Sequence, residues 1–414
     1  MAVDTDLTFV GNIFIAISGI AAFLIAVFVW TRWDQPKESS CTFFSVYSHP
    51  WLLTTLKGHV GQVLDIDFSP NGKFLVSVCS DRTMFLWNIK VCDFTEREHK
   101  FARGNVDLDN GSYVAFAPDS KSILLCLQVN NKLAVYKATK KEDGSHGYRI
   151  LPVENVEFPE VHAKDINGIG IACNGKFVLS SSDDNKLVVY SLHGELLKTV
   201  EPKLNVLYEA LVTPDGRFIA ASGFTPDVFV FEVLFNRQGE FQDVKKAFDL
   251  KGHRSGIPSF AFNQNSSRCV TASKDGTWRL YDTDIRYSLG EEAKTIASGE
   301  WDLLKNAPPE SVSVAMSLSG KSFAVGASRH IHIFSAVDDT KKFDINLLNR
   351  VRISPCGKMV ATCGDRYIRV FHNVAEYYSD VVELERAVKE SRQESHKRRV
   401  QEQLEEAKVA MKAF

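Results

Sequence analysis

Three patterns of hydrophobic and polar positions divide the chain. From Leu7 to Thr31 there are 25 residues without a charge. As a helix this run spans about 37 Å at ~1.5 Å per residue, enough to cross a ~30 Å hydrocarbon layer. Residues 51–373 instead show short period-2 alternations separated by Gly, Asp, Asn and Pro turns, which predicts strands. From 374 to 414 the period becomes that of a helix: Val381, Leu384 and Val388, then Val400, Leu404, Ala407 and Met411, recur at three- and four-residue spacing. The expected organisation is an anchor at 7–31, a polar linker at 32–50, a strand domain at 51–373, and a charged amphipathic or coiled-coil helix at 374–414.

The strand region repeats itself. FSPNGKFLVSVCSDRTMFLWN (68–88), IACNGKFVLSSSDDNKLVVYS (171–191) and ISPCGKMVATCGDRYIRVFHN (353–373) share a Gly-Lys turn, a β-rich run, a second turn and an alternation closing on an aromatic. Four weaker copies lie between them. The closing aromatics are Trp87, Tyr136, Tyr190, Phe231, Tyr281, Phe334 and Phe371, at intervals of 37 to 54 residues. Seven units of this size predict an all-β, seven-bladed propeller, because one four-stranded unit cannot bury both of its faces alone. The last copy ends without a fourth strand. WLLTTL (51–56) is therefore expected to supply it, joining the two ends of the ring and removing an exposed edge.

Two copies begin with Leu-Lys-Gly-His. The sets His59, Ser77, Asp81, Trp87 and His253, Thr271, Asp275, Tyr281 place a His, a hydroxyl, a turn carboxylate and a closing aromatic at matching spacing. This pattern resembles the WD-repeat family. The resemblance implies a structural hydrogen-bond tetrad in each of these two blades, with the turn Asp accepting from the His. A buried carboxylate needs such donors in any case. The other five copies lack Gly-His.

Composition adds little and excludes some classes. The 414 residues carry a formal net charge of −2, which gives no global attraction to nucleic acid. Eight scattered Cys form no C-x-x-C pair and read as reduced thiols, with no metal site or cofactor expected. Gly320-Lys321-Ser322 lacks the upstream Gly of a phosphate loop, and DLDNGS (107–112) lacks the ligands of a calcium loop. His330 and His332 share a strand face without further ligands, and Asp183-Asp184 reads as a blade turn. Asp275 and Asp282 lie one strand apart and cannot form one acidic site, which leaves Asp284 facing outward. No catalytic constellation emerges, so a binding protein is expected, not an enzyme, with no small-molecule substrate. Four segments exceed what the repeat requires: 92–104, 138–165, 233–248 and 285–310. Candidate partner-binding cations are Arg97, Lys100 and Arg103 in the first of these, and Lys397, Arg398 and Arg399 in the terminal helix. Arg32 and Lys37 follow the uncharged run and no Lys or Arg precedes it, which predicts a single-pass anchor with the bulk of the chain in the cytosol.

Stretches outside the generic repeat carry a closer likeness: REHKFARGNVDLDNG (97–111), GFTPDVFVFEV (223–233), GEFQDVKKAFDLKGH (239–253), SKDGTWRLYDTD (273–284) and CGDRYIRVFHN (363–373). These are similar to the transducin beta-like branch of WD-repeat proteins. That resemblance implies an endoplasmic-reticulum membrane protein with a cytosolic propeller. It implies a scaffold in the unfolded-protein response, binding the phosphorylated ER stress kinase and promoting translation of stress mRNAs. Two other readings stay open at this stage: a nucleotide-exchange factor for a small GTPase at the same membrane, and an RNA-binding adaptor.

Overall fold

The computed structural model describes residues 48–89, 101–106, 109–141, 147–338, 342–346, 350–391 and 393–412. The expected anchor at 7–31, most of the linker, and Arg97 and Lys100 lie outside the described residues. Among the described residues no helix is long and apolar enough to cross a membrane.

The described residues hold seven four-stranded antiparallel sheets. Blade 1 is β2 (Val63–Phe68), β3 (Phe74–Cys79), β4 (Thr83–Asn88) and β5 (Phe101–Asn105). Blade 2 is β6 (Gly111–Phe116), β7 (Ser122–Leu127), β8 (Lys132–Lys140) and β9 (Tyr148–Pro152). Blade 3 is β10 (Ile166–Ile171), β11 (Val178–Ser182), β12 (Leu187–Tyr190) and β13 (Leu196–Val200). Blade 4 is β14 (Leu207–Val212), β15 (Phe218–Gly223), β16 (Val228–Phe235) and β17 (Phe241–Leu250). Blade 5 is β18 (Ser259–Phe262), β19 (Arg268–Ala272), β20 (Thr277–Asp282) and β21 (Lys294–Glu300). Blade 6 is β22 (Val312–Met316), β23 (Ser322–Ala327), β24 (His330–Ser335) and β25 (Lys342–Asn346). Blade 7 is β26 (Arg350–Ile353), β27 (Met359–Cys363), β28 (Tyr367–His372) and, on its outside, β1 (Leu52–Lys57).

The β1 strand runs antiparallel to β28, with Thr54 opposite Val370 and Lys57 opposite Tyr367. The ring is thus closed by its first strand. Its core lies between blades. One cluster joins Leu75 and Trp87 of blade 1 to Ala361 and Val370 of blade 7, and another joins Val76 and Leu86 to Ile123 and Leu125 of blade 2. Each middle strand is apolar on both faces because each touches two neighbouring blades, as in β3 and β27. Every one of the seven closing aromatics is buried.

Three of the long segments prove to contain outer strands. Residues 233–248 extend the β16–β17 hairpin beyond its sheet, where Phe235 stacks near Phe177 of blade 3. Residues 285–310 hold β21 and a helical turn, and 138–165 hold β9. These strands are short of alternation (KTIASGE at 294–300), so nothing in the pattern separates them from loops.

Two helices follow the ring. Helix α1 (Val374–Glu390) docks on blade 6, and α2 (Glu394–Lys412) packs back on α1. Val381, Val400 and Leu404 are buried, as the spacing requires. Glu376 is buried and accepts hydrogen bonds from the Ser319 and Ser322 hydroxyls, both at 2.5 Å. Lys321 bridges Asp380 at 2.7 Å and Glu383 at 2.8 Å.

Candidate functional site

The face of the ring that carries the turns between the second and third strands of each blade (the b–c turns) is built on hydrogen-bonded turns, and blade 1 shows the wiring. The Trp87 indole N–H donates to Ser77 Oγ at 2.9 Å, and Ser77 Oγ lies 2.7 Å from His59 Nε2. His59 Nδ1 lies 3.0 Å from Thr83 Oγ1, whose hydroxyl donates to Asp81. The chain Trp87–Ser77–His59–Thr83–Asp81 is satisfied when His59 carries its proton on Nδ1. His59 and Asp81 are 3.9 Å apart, so Thr83 mediates between them where a direct bond was expected. In blade 5, His253 Nδ1 bonds Asp275 directly at 3.0 Å and Nε2 lies 2.7 Å from Thr271 Oγ1. The Tyr281 hydroxyl donates to the Lys251 carbonyl at 3.1 Å.

A third such set escapes the Gly-His search. His162 Nε2 lies 2.7 Å from Ser180 Oγ, and Nδ1 lies 3.4 Å from Asp184. The separations of 18 and 22 residues equal those of blade 5. The missing Gly has a steric cause. A Cβ on Gly58 would lie 2.5 Å from Phe85, and one on Gly252 would lie 2.8 Å from Arg279. The matching position in blade 3 is Val188, and Val161 packs against the cluster containing it. Spacing, not the Gly, was the available signal.

Two blades reach the same end by other means. In blade 2 the fully buried Asp109 sits on the opposite loop and accepts from the N–H groups of Val129 and Asn130 at 2.9 and 3.0 Å. In blade 7, Arg369 donates twice to Asp365, at 3.1 and 2.7 Å.

Burial drives His59 down to about 4 against the pull of Asp81. Burial would raise Asp81, but the Thr83 hydroxyl and the Val60 and Gly61 N–H groups hold it at about 2. His59, Asp81 and Cys79 place ligand atoms within 4.8 Å of one another. Both imidazole nitrogens are committed, and burial pushes the Cys79 thiol up to about 11, which keeps it protonated. The trio serves the turn.

The inner strands line a channel. Its mouth, about 580 Å³, and a narrower stretch, about 220 Å³, share Tyr113, Asn167, Glu209 and Arg350, and the latter adds Asp65 and Arg352. These side chains latch neighbouring blades. Asp65 accepts from Val114 N at 3.1 Å, Asp67 from Phe116 N at 2.7 Å, and Glu209 from Phe260 N at 3.1 Å. The Arg352 guanidinium approaches Asp65 at 3.5 Å, and Arg350 lies over the Tyr113 ring at 5.4 Å. Burial lifts Asp67 to about 6 and raises Glu209 as well. The three carboxylates each join their blade to the next.

On the face of the b–c turns, Val60, Val129, Val206 and Phe224 stand exposed, Val206 at the channel mouth. The candidate cations are not gathered there. Arg103 is exposed on β5, next to the b–c turn of blade 1, where Val106 N bonds the Arg82 carbonyl. Arg398 and Arg399 are exposed and Lys397 half-buried at the start of α2. Asp284 is exposed, and its N–H is held by Asp282 at 3.0 Å.

A family model described as "WD domain, G-beta repeat" matches residues 50–88, 155–191, 244–282 and 344–372. The first three matches end in the blades with His-centred sets. Over 388 residues the chain is 35% identical to transducin beta-like protein 2 of Mus musculus, covering 92% of this chain and 85% of that protein. The human protein of the same name is 36% identical, with 92% and 84% covered. A guanine nucleotide-binding protein subunit beta of Oryza sativa subsp. japonica is 22% identical over 290 residues, covering 66% of this chain and 68% of that one.

Proposed function

Because the chain belongs to the transducin beta-like protein 2 family of WD-repeat proteins, we propose that it is a binding scaffold whose channel-mouth face docks protein partners. The observation that carries this reading is the set of exposed Val60, Val129, Val206 and Phe224 on the face whose turn carboxylates Asp81, Asp184, Asp275 and Asp365 are bonded within their own blades.

In the fuller form of the proposal, residues 7–31 tether the scaffold to the endoplasmic-reticulum membrane with the ring in the cytosol. Tethering raises its effective concentration toward other membrane-bound partners. The family resemblance supports a role in the unfolded-protein response, through the ER stress kinase and the translation of stress mRNAs. Its action there is binding and not catalysis.

Proximity crosslinking in cells tests both parts. The full chain is compared with a form lacking residues 1–33 and with the Val206→Asp/Phe224→Asp variant. The truncated form should lose membrane-bound partners, and the rim variant should lose partners of every kind. A partner set unchanged by the rim variant would refute the docking face; one unchanged by the truncation would refute the tether.

A further inference from the structure

The two terminal helices separate their charges by length and not by face. Residues 374–385 of α1 carry four carboxylates and no Lys or Arg, whereas residues 386–399, which close α1 and open α2, carry six Lys and Arg against two Glu. Three residues join Glu390 to Glu394, so the basic ends of both helices meet at one turn. At ~1.5 Å per residue, Arg386 and Lys389 of α1 and Lys397, Arg398 and Arg399 of α2 all stand within about 8 Å of that turn along their axes. Lys397 is half-buried and the other four are exposed.

The fold does not use these cations. The ring is held by the acidic half of α1, through Glu376, Asp380 and Glu383, and among the described residues the bond of Lys321 to Glu383 is the last in sequence that α1 makes to it. The turn stands about 10 Å beyond Glu383 along the helix. Arg398 approaches Glu402 at 3.5 Å on the exposed surface, and among the described residues no carboxylate pairs with Arg386, Lys389, Lys397 or Arg399. The helix dipole favours Lys389 at the end of α1. It opposes Lys397 in the first turn of α2, with Arg398 and Arg399 directly after it. Helix stability therefore does not account for a basic start to α2.

The chain enters the ring beside these helices. The Trp51 carbonyl accepts from His372 N at 2.8 Å, the Trp51 ring meets Phe343 of β25 edge-on at 5.6 Å, and Phe343 lies 6.4 Å from Tyr378 of α1. We infer that the basic end of the α1–α2 hairpin binds the anionic lipid surface of the membrane in which residues 7–31 are anchored. The 19 residues from 32 to 50 reach at most about 65 Å when fully extended, so a tethered ring keeps its hairpin near the headgroups. Clustered cations are drawn to anionic headgroups without a pocket. Single-stranded RNA would need aromatic faces for base stacking, and no Phe, Tyr or Trp occurs between Tyr378 and Phe414. An acidic peptide would need an apolar anchor beside the cations, and the large apolar side chain that α2 exposes, Val409, stands toward its far end. This inference rests on the tether in the scaffold reading and adds a second membrane contact, which limits how the ring can turn on its tether.

Amine footprinting tests it on the full-length chain, reconstituted into vesicles of phosphatidylcholine alone or mixed with phosphatidylserine. Acetylation of single lysines is followed by mass spectrometry. Lys389 and Lys397 should react about fivefold or more slowly on the vesicles that contain phosphatidylserine. High salt should restore their reactivity. Lys164 and Lys203, exposed on the ring, should react equally on both. Arg386→Gln/Arg398→Gln/Arg399→Gln leaves the two reporter lysines in place and should abolish the difference. Arg386→Lys/Arg398→Lys/Arg399→Lys should keep it, because the attraction is to charge and not to a guanidinium fork. Equal reactivity of Lys389 and Lys397 on the two kinds of vesicle overturns the inference, as does protection by polyuridine RNA without protection by phosphatidylserine. Flotation separates the hairpin from the tether. A chain that stays with neutral vesicles through an alkaline wash, but gains no protection from phosphatidylserine, keeps the tether and overturns the hairpin contact. A chain that floats with phosphatidylserine vesicles alone, reversibly in salt and with both lysines protected, refutes the tether and supports the hairpin contact.

Discussion

His59 is enclosed by two hydroxyls and a turn carboxylate, and its neutrality has a pH signature. Its pKa falls from 6.5 to about 4, so between those values the unfolded chain binds more protons than the ring does. The stability it confers is complete above pH 6.5 and is lost as pH falls toward 4. Burial lowers His162 in the same direction. Asp67 runs the other way. Its pKa rises from 3.8 to about 6, so its contribution is complete below 3.8 and is lost as pH rises through 6. The two windows nearly coincide and their slopes oppose. The parent's thermal midpoint should therefore vary little between pH 4 and 6.5. His59→Gln should leave a midpoint that falls as pH rises across this range, and Asp67→Asn one that falls as pH drops. Parallel profiles for the two variants would refute the assignment. At constant pH, His162→Ala should cost about 1–3 kcal/mol, because it takes the ring partner from the Ser180 hydroxyl and one of its donors from Asp184. Removal at a position without a buried partner would cost far less, so the size of the loss checks that blade 3 has a set of its own.

At the scale of elements, the helices show how far the pattern could be read. The three- and four-residue spacing of Val400, Leu404, Ala407 and Met411 was enough to predict the apolar face of α2, because a helix repeats its burial along one stripe. What α1 docks against was not legible. Its seat on blade 6 is made by Ser319, Lys321, Ser322 and Ser335, which in sequence are ordinary turn and strand-end residues. Glu376→Ala would leave the Ser319 and Ser322 hydroxyls without their acceptor. Amide hydrogen exchange should then speed up across 374–390 while the inner strands keep their protection. Unchanged exchange in α1 would show that the carboxylate does not hold the helix. The same limit hid His162 and Asp109. One lacked the preceding Gly, and the other caps its turn from the opposite loop. The outer strands within 285–310 and 138–165 were hidden because an edge strand needs only backbone pairing, which leaves little trace in side-chain pattern.

For the whole molecule, the seven closing aromatics gave the blade count, since each must be buried between two blades. The closing strand was legible as a unit short of one strand at one end and a spare strand at the other. The channel cluster was not, because Asp65, Glu209 and Arg350 lie far apart in sequence and meet only when the circle is complete. Closure should accordingly govern the stability of the entire ring. Leu56 of β1 is 1% exposed, and Leu56→Asp would put a charge into the seam between blades 7 and 1. The expected result is a broadened, lowered thermal transition and earlier elution in size exclusion. A single sharp transition at the parent temperature would show that the seam carries little of the stability.

The same seam has a consequence in time. The β1 strand emerges from the ribosome before any other strand of the ring, and its partner β28 emerges last. About 300 residues lie between them, so at roughly 5–20 residues per second β1 waits on the order of 15–60 s for its partner. Throughout that interval the nascent chain is an open arc, with an unpaired edge at the growing end and a spare strand at the other. A message cut short anywhere before residue 372 fixes the protein in that state. The seam thus makes the folded ring a check on complete synthesis: only a chain translated through its last blade can hide both edges from the chaperones and proteases that survey them.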